Sequence, residues 1–130
     1  MKSELFFILF LVGFSCFSQL PEGFIDVEKV IPDITVELRY HTSNNFVGRP
    51  IDGYQANTLI LTKEAAYALQ QVQEELENQN LCLKVYDGYR PQRAVNHFTH
   101  WARNLNDTIN KKIFYPNVEK KNLFKESYIA

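Results

Sequence analysis

Cysteine is scarce in this 130-residue chain, which has two, Cys16 and Cys82, beside one methionine and one tryptophan. With no Cys-x-x-Cys pair, a thioredoxin-like redox site and a cysteine-rich zinc ribbon are excluded. No Gly-rich phosphate loop or Gly-x-Ser-x-Gly elbow occurs either, so nucleotide-dependent and serine-hydrolase chemistry have no support. An excess of one charge is also missing: 14 Lys+Arg against 15 Asp+Glu leave a net charge of −1. No electrostatic field therefore draws the chain to nucleic acid or to an anionic membrane. The longest apolar run, Leu5 to Phe14, is about half of the roughly 20 residues that a helix needs to span a bilayer. Internal repeats, low-complexity tracts and flexible linkers are absent, and the length suits one domain at most.

Residues 1–18 read as a secretory signal peptide, with Lys2 before the apolar run and Cys16-Phe17-Ser18 supplying small residues before Gln19. The product is then expected to be exported, periplasmic or extracellular, with no stable membrane insertion after cleavage. A lipoprotein acylated at Cys16 is the second reading. Cleavage removes Lys2 and Glu4 together, which leaves the charge balance unchanged. It also leaves Cys82 alone, so no internal disulfide is possible. The flanking Leu81 and Leu83 predict that Cys82 is a buried structural thiol.

Residues 19–130 read as one continuous segment. Ile34 to Tyr40 alternates apolar and charged residues, as a half-buried strand does. His41 to Tyr54, dense in Asn, Gly, Pro and Asp, reads as an irregular loop. Thr62 caps a predicted helix from Lys63 to about Asn78 that places Ala65, Ala66, Leu69, Val72 and Leu76 on its inner face, with Glu74, Glu75 and Glu77 solvated. Leu81 to Tyr86 is a second strand, and Asp87-Gly88 is the turn that ends it. Pro91 suits the start of a second helix, which carries Ala94, Phe98, Trp101 and Leu105 and weakens over Asn104–Asp107. Lys111, Lys112, Lys120, Lys121 and Lys125 are read as a solvated basic tail.

The stretch Lys84 to Ala94, KVYDGYRPQRA, places Arg90 and Arg93 where a strand turns into a helix. The unpaired N–H groups of a helix start already carry partial positive charge, so cations there imply a negative partner. That partner is either a bound carboxylate or developing oxyanion, or Asp87 in an internal ion pair. Pro91 holds its predecessor out of the helical region, so Arg90 projects from the turn. His97 and His100 are three apart on the same predicted helix, yet the four-residue spacing and adjacent glutamate of a metalloprotease helix are missing. They are therefore expected to be surface or hydrogen-bonded histidines, and His41 is equally unsupported as a ligand.

Taken together, several stretches give the chain a resemblance to the zinc D-Ala-D-Ala dipeptidases of the VanX type, relatives of the D,D-carboxypeptidases of cell-wall metabolism. These are Glu37-Leu38-Arg39-Tyr40 with Asn44 to Gly48, Asp87 to Val95, His97-Phe98 with Trp101, Tyr115-Pro116, Leu123-Phe124 and Tyr128-Ile129-Ala130. The resemblance implies an α+β fold, helices packed on a small, mostly antiparallel sheet that is incomplete in this chain. It also implies zinc as cofactor, D-Ala-D-Ala or another small peptide as substrate, and Arg90 as the group that stabilises the transition state. The family's metal ligands and general base lie in Ser-x-His-x(6)-Asp and Glu-x-x-His stretches, neither of which occurs among these residues. Residues 19–130 are accordingly expected to be the N-terminal part of such a domain, inactive by itself. A D,D- or L,D-peptidase acting on peptidoglycan peptides and a non-catalytic module holding a peptide carboxylate through Arg90 and Arg93 remain alternatives.

Overall fold

A computed structural model describes residues 20–129; the leader reading, Cys16 included, lies outside the described residues. The architecture is mixed α and β. Strand β1 (Phe24–Asp26) pairs antiparallel with β3 (Ile60–Thr62), and β2 (Thr35–Val36) pairs in parallel with β4 (Lys84–Val85). Three helices accompany them: α1 (Lys63–Glu77), α2 (Gln92–Arg103) and the single turn α3 (Lys111–Phe114). The α+β class is thus as expected, but the sheet is divided into two ribbons, one of them parallel. No helix among the described residues is long and apolar enough to cross a membrane.

Two apolar clusters hold these pieces. Val27, Ile31, Ile34, Leu38, Leu59 and Ala66 join both ribbons to α1, while Phe98, Trp101, Tyr115, Leu123 and Ile129 gather the C-terminal segments round α2. Thr62 caps α1 by accepting a 3.3 Å hydrogen bond from the Ala65 amide. On α1 the inner stripe is shifted from the expected one, because Val72 is exposed and Gln73 is buried. The Gln73 carboxamide seats the approach to β4, its oxygen accepting from the Leu83 amide at 2.9 Å and its nitrogen donating to Glu77 at 2.8 Å. A buried amide with both ends bonded carries no desolvation penalty to speak of.

Four other expectations are corrected. The strand expected over Ile34–Tyr40 ends early: backbone bonds continue from Glu37 to Val85 (2.9 Å) and from Arg39 to Tyr86 (3.4 Å), but Arg39–His41 then coils into a 3-10 turn. Asn45, almost fully buried, forces that coil by donating to the carbonyls of Arg39, Thr42 and Arg49 and accepting from the Val47 amide. Cys82 is exposed, since the period-two pattern of an extended chain turns Leu83 and Val85 inward and Cys82 outward. Leu105 is exposed because α2 stops at Arg103. Lys120 is buried: its Nζ lies 3.0 Å from the centroid of the Trp101 ring and donates to the Asp107 carbonyl at 2.8 Å. Burial lowers the Lys120 amine to about 8. Lys111 is likewise tied down, donating to the carbonyls of Tyr115, Pro116 and Val118.

Candidate active site

The turn after β4 is built to hold one orientation. The Tyr89 amide donates to the Ile60 carbonyl at 2.7 Å, pinning the turn against β3. Gly88 permits this approach, because a Cβ at that position would stand 2.7 Å from both the Ile60 carbonyl oxygen and Leu59 Cδ1. Pro91 follows in an extended conformation as the N-cap of α2, and Gly53, at a φ of +98°, packs its backbone against the Pro91 ring. Residues 87–91 are thereby clamped between β3 and the 41–54 loop.

Arg90 projects from this turn. Its guanidinium donates to Asp87 Oδ2 at 2.8 Å, so the internal ion pair that the residue types allowed does form. Its carbon also lies 5.2 Å from the Tyr40 ring centroid and 5.1 Å from that of Phe98, placing the cation beside two aromatic rings. The side chain nevertheless remains 43% exposed. Asp87 accepts in addition from the Tyr54 hydroxyl (2.8 Å) and the Gly88 amide (3.0 Å). Three donors on one carboxylate fix its plane, and through it the direction of Arg90. Burial tends to lower the proton affinity of Arg90, but Asp87 outweighs it and the net shift is upward. The Tyr54 phenol is pushed well above its usual range, by burial and then by its bond to Asp87. The group is therefore a permanent cation held by Asp87 and two aromatic rings, with further N–H donors besides the one given to Asp87.

Beside it lies a cleft of about 230 Å³ lined by Arg39, Tyr40, Asn45, Phe46, Tyr86, Asp87 and Phe114. Tyr40, Phe46 and Phe98 form an aromatic stack beneath it, with centroids 4.9 to 5.8 Å apart. The reading from sequence missed Tyr40, Tyr54 and Phe46 as partners of this site. The available signal was the presence of aromatics within an otherwise polar, Gly- and Asn-rich loop.

The remaining candidates stay apart from the turn. His97 Nδ1 accepts from the Asp52 amide at 3.2 Å, His100 Nδ1 bonds the Asn96 carbonyl at 2.8 Å, and His41 Nδ1 bonds the Tyr54 carbonyl at 3.1 Å. His97 and His100 are hydrogen-bonded, as expected, and so is His41. Arg93 is exposed and lines a different groove, on the outer side of α2 with Arg49, His97 and His100. Among the described residues no three His, Cys, Asp or Glu side chains assemble a metal site. These residues therefore do not fit a catalytic zinc, which needs about three protein ligands.

A cation held by Asp87 thus stands beside a small aromatic cleft. Comparison with known proteins specifies the class: the family model described as D-Ala-D-Ala dipeptidase matches residues 21–128, and the chain belongs to that peptidase family. Among curated relatives, the D-alanyl-D-alanine dipeptidase of Enterococcus faecium is 34% identical over 108 residues, covering 83% of this chain and 54% of that protein. Its counterpart in Streptomyces coelicolor is 38% identical over 107 residues, 82% of this chain and 53% of the relative. The Escherichia coli dipeptidase is 36% identical over 70 residues, 54% of this chain and 35% of the relative. The chain spans about half the length of the first two relatives.

Proposed function

We propose that this chain supplies the arginine-bearing half of a zinc-dependent D-Ala-D-Ala dipeptidase, exported by way of residues 1–18. The observation that carries this is the fixed Arg90, aimed by an Asp87 carboxylate that is itself held by Tyr54 and Gly88. Such a cation lowers the energy of the negatively charged oxygen that forms when water adds to a peptide carbonyl. Donors already in place cost no reorganisation at that moment. The described residues do not assemble a metal site, so no step through the metal is derived from them. On this reading, the ligands and the general base reside in the part of the family domain that these residues do not cover, and the 130 residues alone do not hydrolyse dipeptide.

Release of D-alanine from D-Ala-D-Ala measures the activity. We expect none from residues 19–130, and zinc-dependent turnover from a protein that also carries the family's ligand motifs downstream. In that active form, Arg90→Ala should lower kcat by about 10²- to 10³-fold, the usual cost of losing one oxyanion donor. Unchanged kcat would remove Arg90 from the chemistry.

A further inference from the structure

The cleft beside Arg90 has its own charged residue, Arg39, which the proposed chemistry does not use. Arg39 stands at the end of the β2 segment, opposite Tyr86 at the end of β4. The two are joined through the backbone bond from the Arg39 amide to the Tyr86 carbonyl. Its guanidinium carbon lies 4.3 Å from the centroid of the Tyr86 ring and 5.9 Å from that of Phe114. Its Nε donates to Glu37 Oε1 at 3.1 Å, and Glu37 is anchored in turn by Lys84 at 2.5 Å. Lys84 first, then Arg39, holds the Glu37 carboxyl below its usual range, so the anchor is ionised at neutral pH. The two terminal amino groups of Arg39 make no hydrogen bond to a described residue. The fork is thus stacked and tethered at its stem, yet open at its tip.

The cleft contains a second charged residue, Asp87, which is already committed to Arg90, Tyr54 and the Gly88 amide. Among the described residues Arg39 is accordingly the one cation of the cleft lining; its Nε is given to Glu37, a carboxylate that Lys84 shares, and its terminal fork keeps the capacity for a second anion. A planar guanidinium with a free fork matches a carboxylate bidentately, and the stacking has already removed much of the side-chain freedom that binding would otherwise cost. The aromatic lining suits small apolar side chains next to that carboxylate.

The geometry points to Arg39 as the residue that reads the free C-terminal carboxylate of a short peptide, making this cleft a subsite for unamidated peptide ends. This assignment rests on the dipeptidase reading and adds a basis for substrate choice to it.

Isothermal titration of the intact protein with D-Ala-D-Ala and with its C-terminal amide tests it, using the wild type, Arg39→Gln, Arg39→Lys and Lys84→Gln. The wild type should favour the free acid by about 10- to 100-fold, the worth of a charge-assisted pair. Arg39→Gln should abolish that preference and leave amide binding unchanged, with Arg39→Lys between the two. Lys84→Gln, which loosens the anchor without touching the fork, should retain most of it. Unaltered amide binding in Arg39→Gln shows that the variant is folded. If Arg39→Gln keeps the full preference, the subsite assignment is wrong while the dipeptidase reading stands. If the wild type binds neither ligand, the subsite assignment falls, while D-alanine release by a protein that also carries the family's ligand motifs tests the dipeptidase reading separately.

Discussion

The sequence stretch that ends β4 left Arg90 with two possible partners, a ligand or Asp87. The structure shows the Asp87 pair and also why it does not consume the arginine. Asp87 receives three donors, and the rings of Tyr40 and Phe98 support the guanidinium from the side. This second set was not legible, because Tyr40 and Tyr54 come from segments far earlier in the chain and meet the turn only on folding. Lys120 teaches the same lesson from the opposite direction. Five lysines near the chain end look like a solvated surface, yet Lys120 sits on Trp101 under the Asp107 carbonyl, contacts created only when α2 meets the C-terminal segment. Burial holds its amine at about 8 against an ordinary value of 10.5. Between those values the unfolded chain binds the extra proton, so stability should rise with pH. Comparing wild type with Lys120→Met in urea melts from pH 7 to 10 isolates this contribution; the difference should grow in favour of the wild type above pH 8. Below pH 10 the half-buried phenols of Tyr40 and Tyr54 and the buried one of Tyr115 do not confuse the comparison, because all are pushed upward and their contribution is lost only above the ordinary phenol range. A flat difference would mean that Lys120 is charged equally easily in both states.

Secondary elements were read best where a local rule decides them. The Thr62 cap and the α1 span both depend on residues within a few positions of one another, and both appear as expected. The strands were overextended, since Ile34–Tyr40 has the right alternation while the Asn45 side chain, from the loop that follows, bends its second half into a 3-10 turn. Cys82 was misplaced because three consecutive apolar residues conceal which phase of the alternation faces inward. Gly88 shows an element-level demand that sequence alone suggests only as a turn: the space is filled by β3. Gly88→Ala should therefore destabilise the fold by about 1–3 kcal/mol through overpacking. Chemical denaturation measures this, and a neutral result would show that the turn can move away from Ile60.

At the scale of the molecule, the α+β class and the family were legible because the matching motifs run in order along almost the whole described chain. The division of the interior into two clusters was not, as each is assembled from segments far apart in sequence. Arg39 and Tyr86 belong to neither cluster, while Phe98 lies within one. Thermal melts should therefore show Phe98→Ala costing about 3–5 kcal/mol and Tyr86→Ala within about 0.5 kcal/mol of wild type; comparable losses would contradict the separation. That separation leaves the rim of the cleft free to vary. Descendants of this chain can exchange the side chains at positions 39 and 86 without first rebuilding the interior that keeps Arg90 in place.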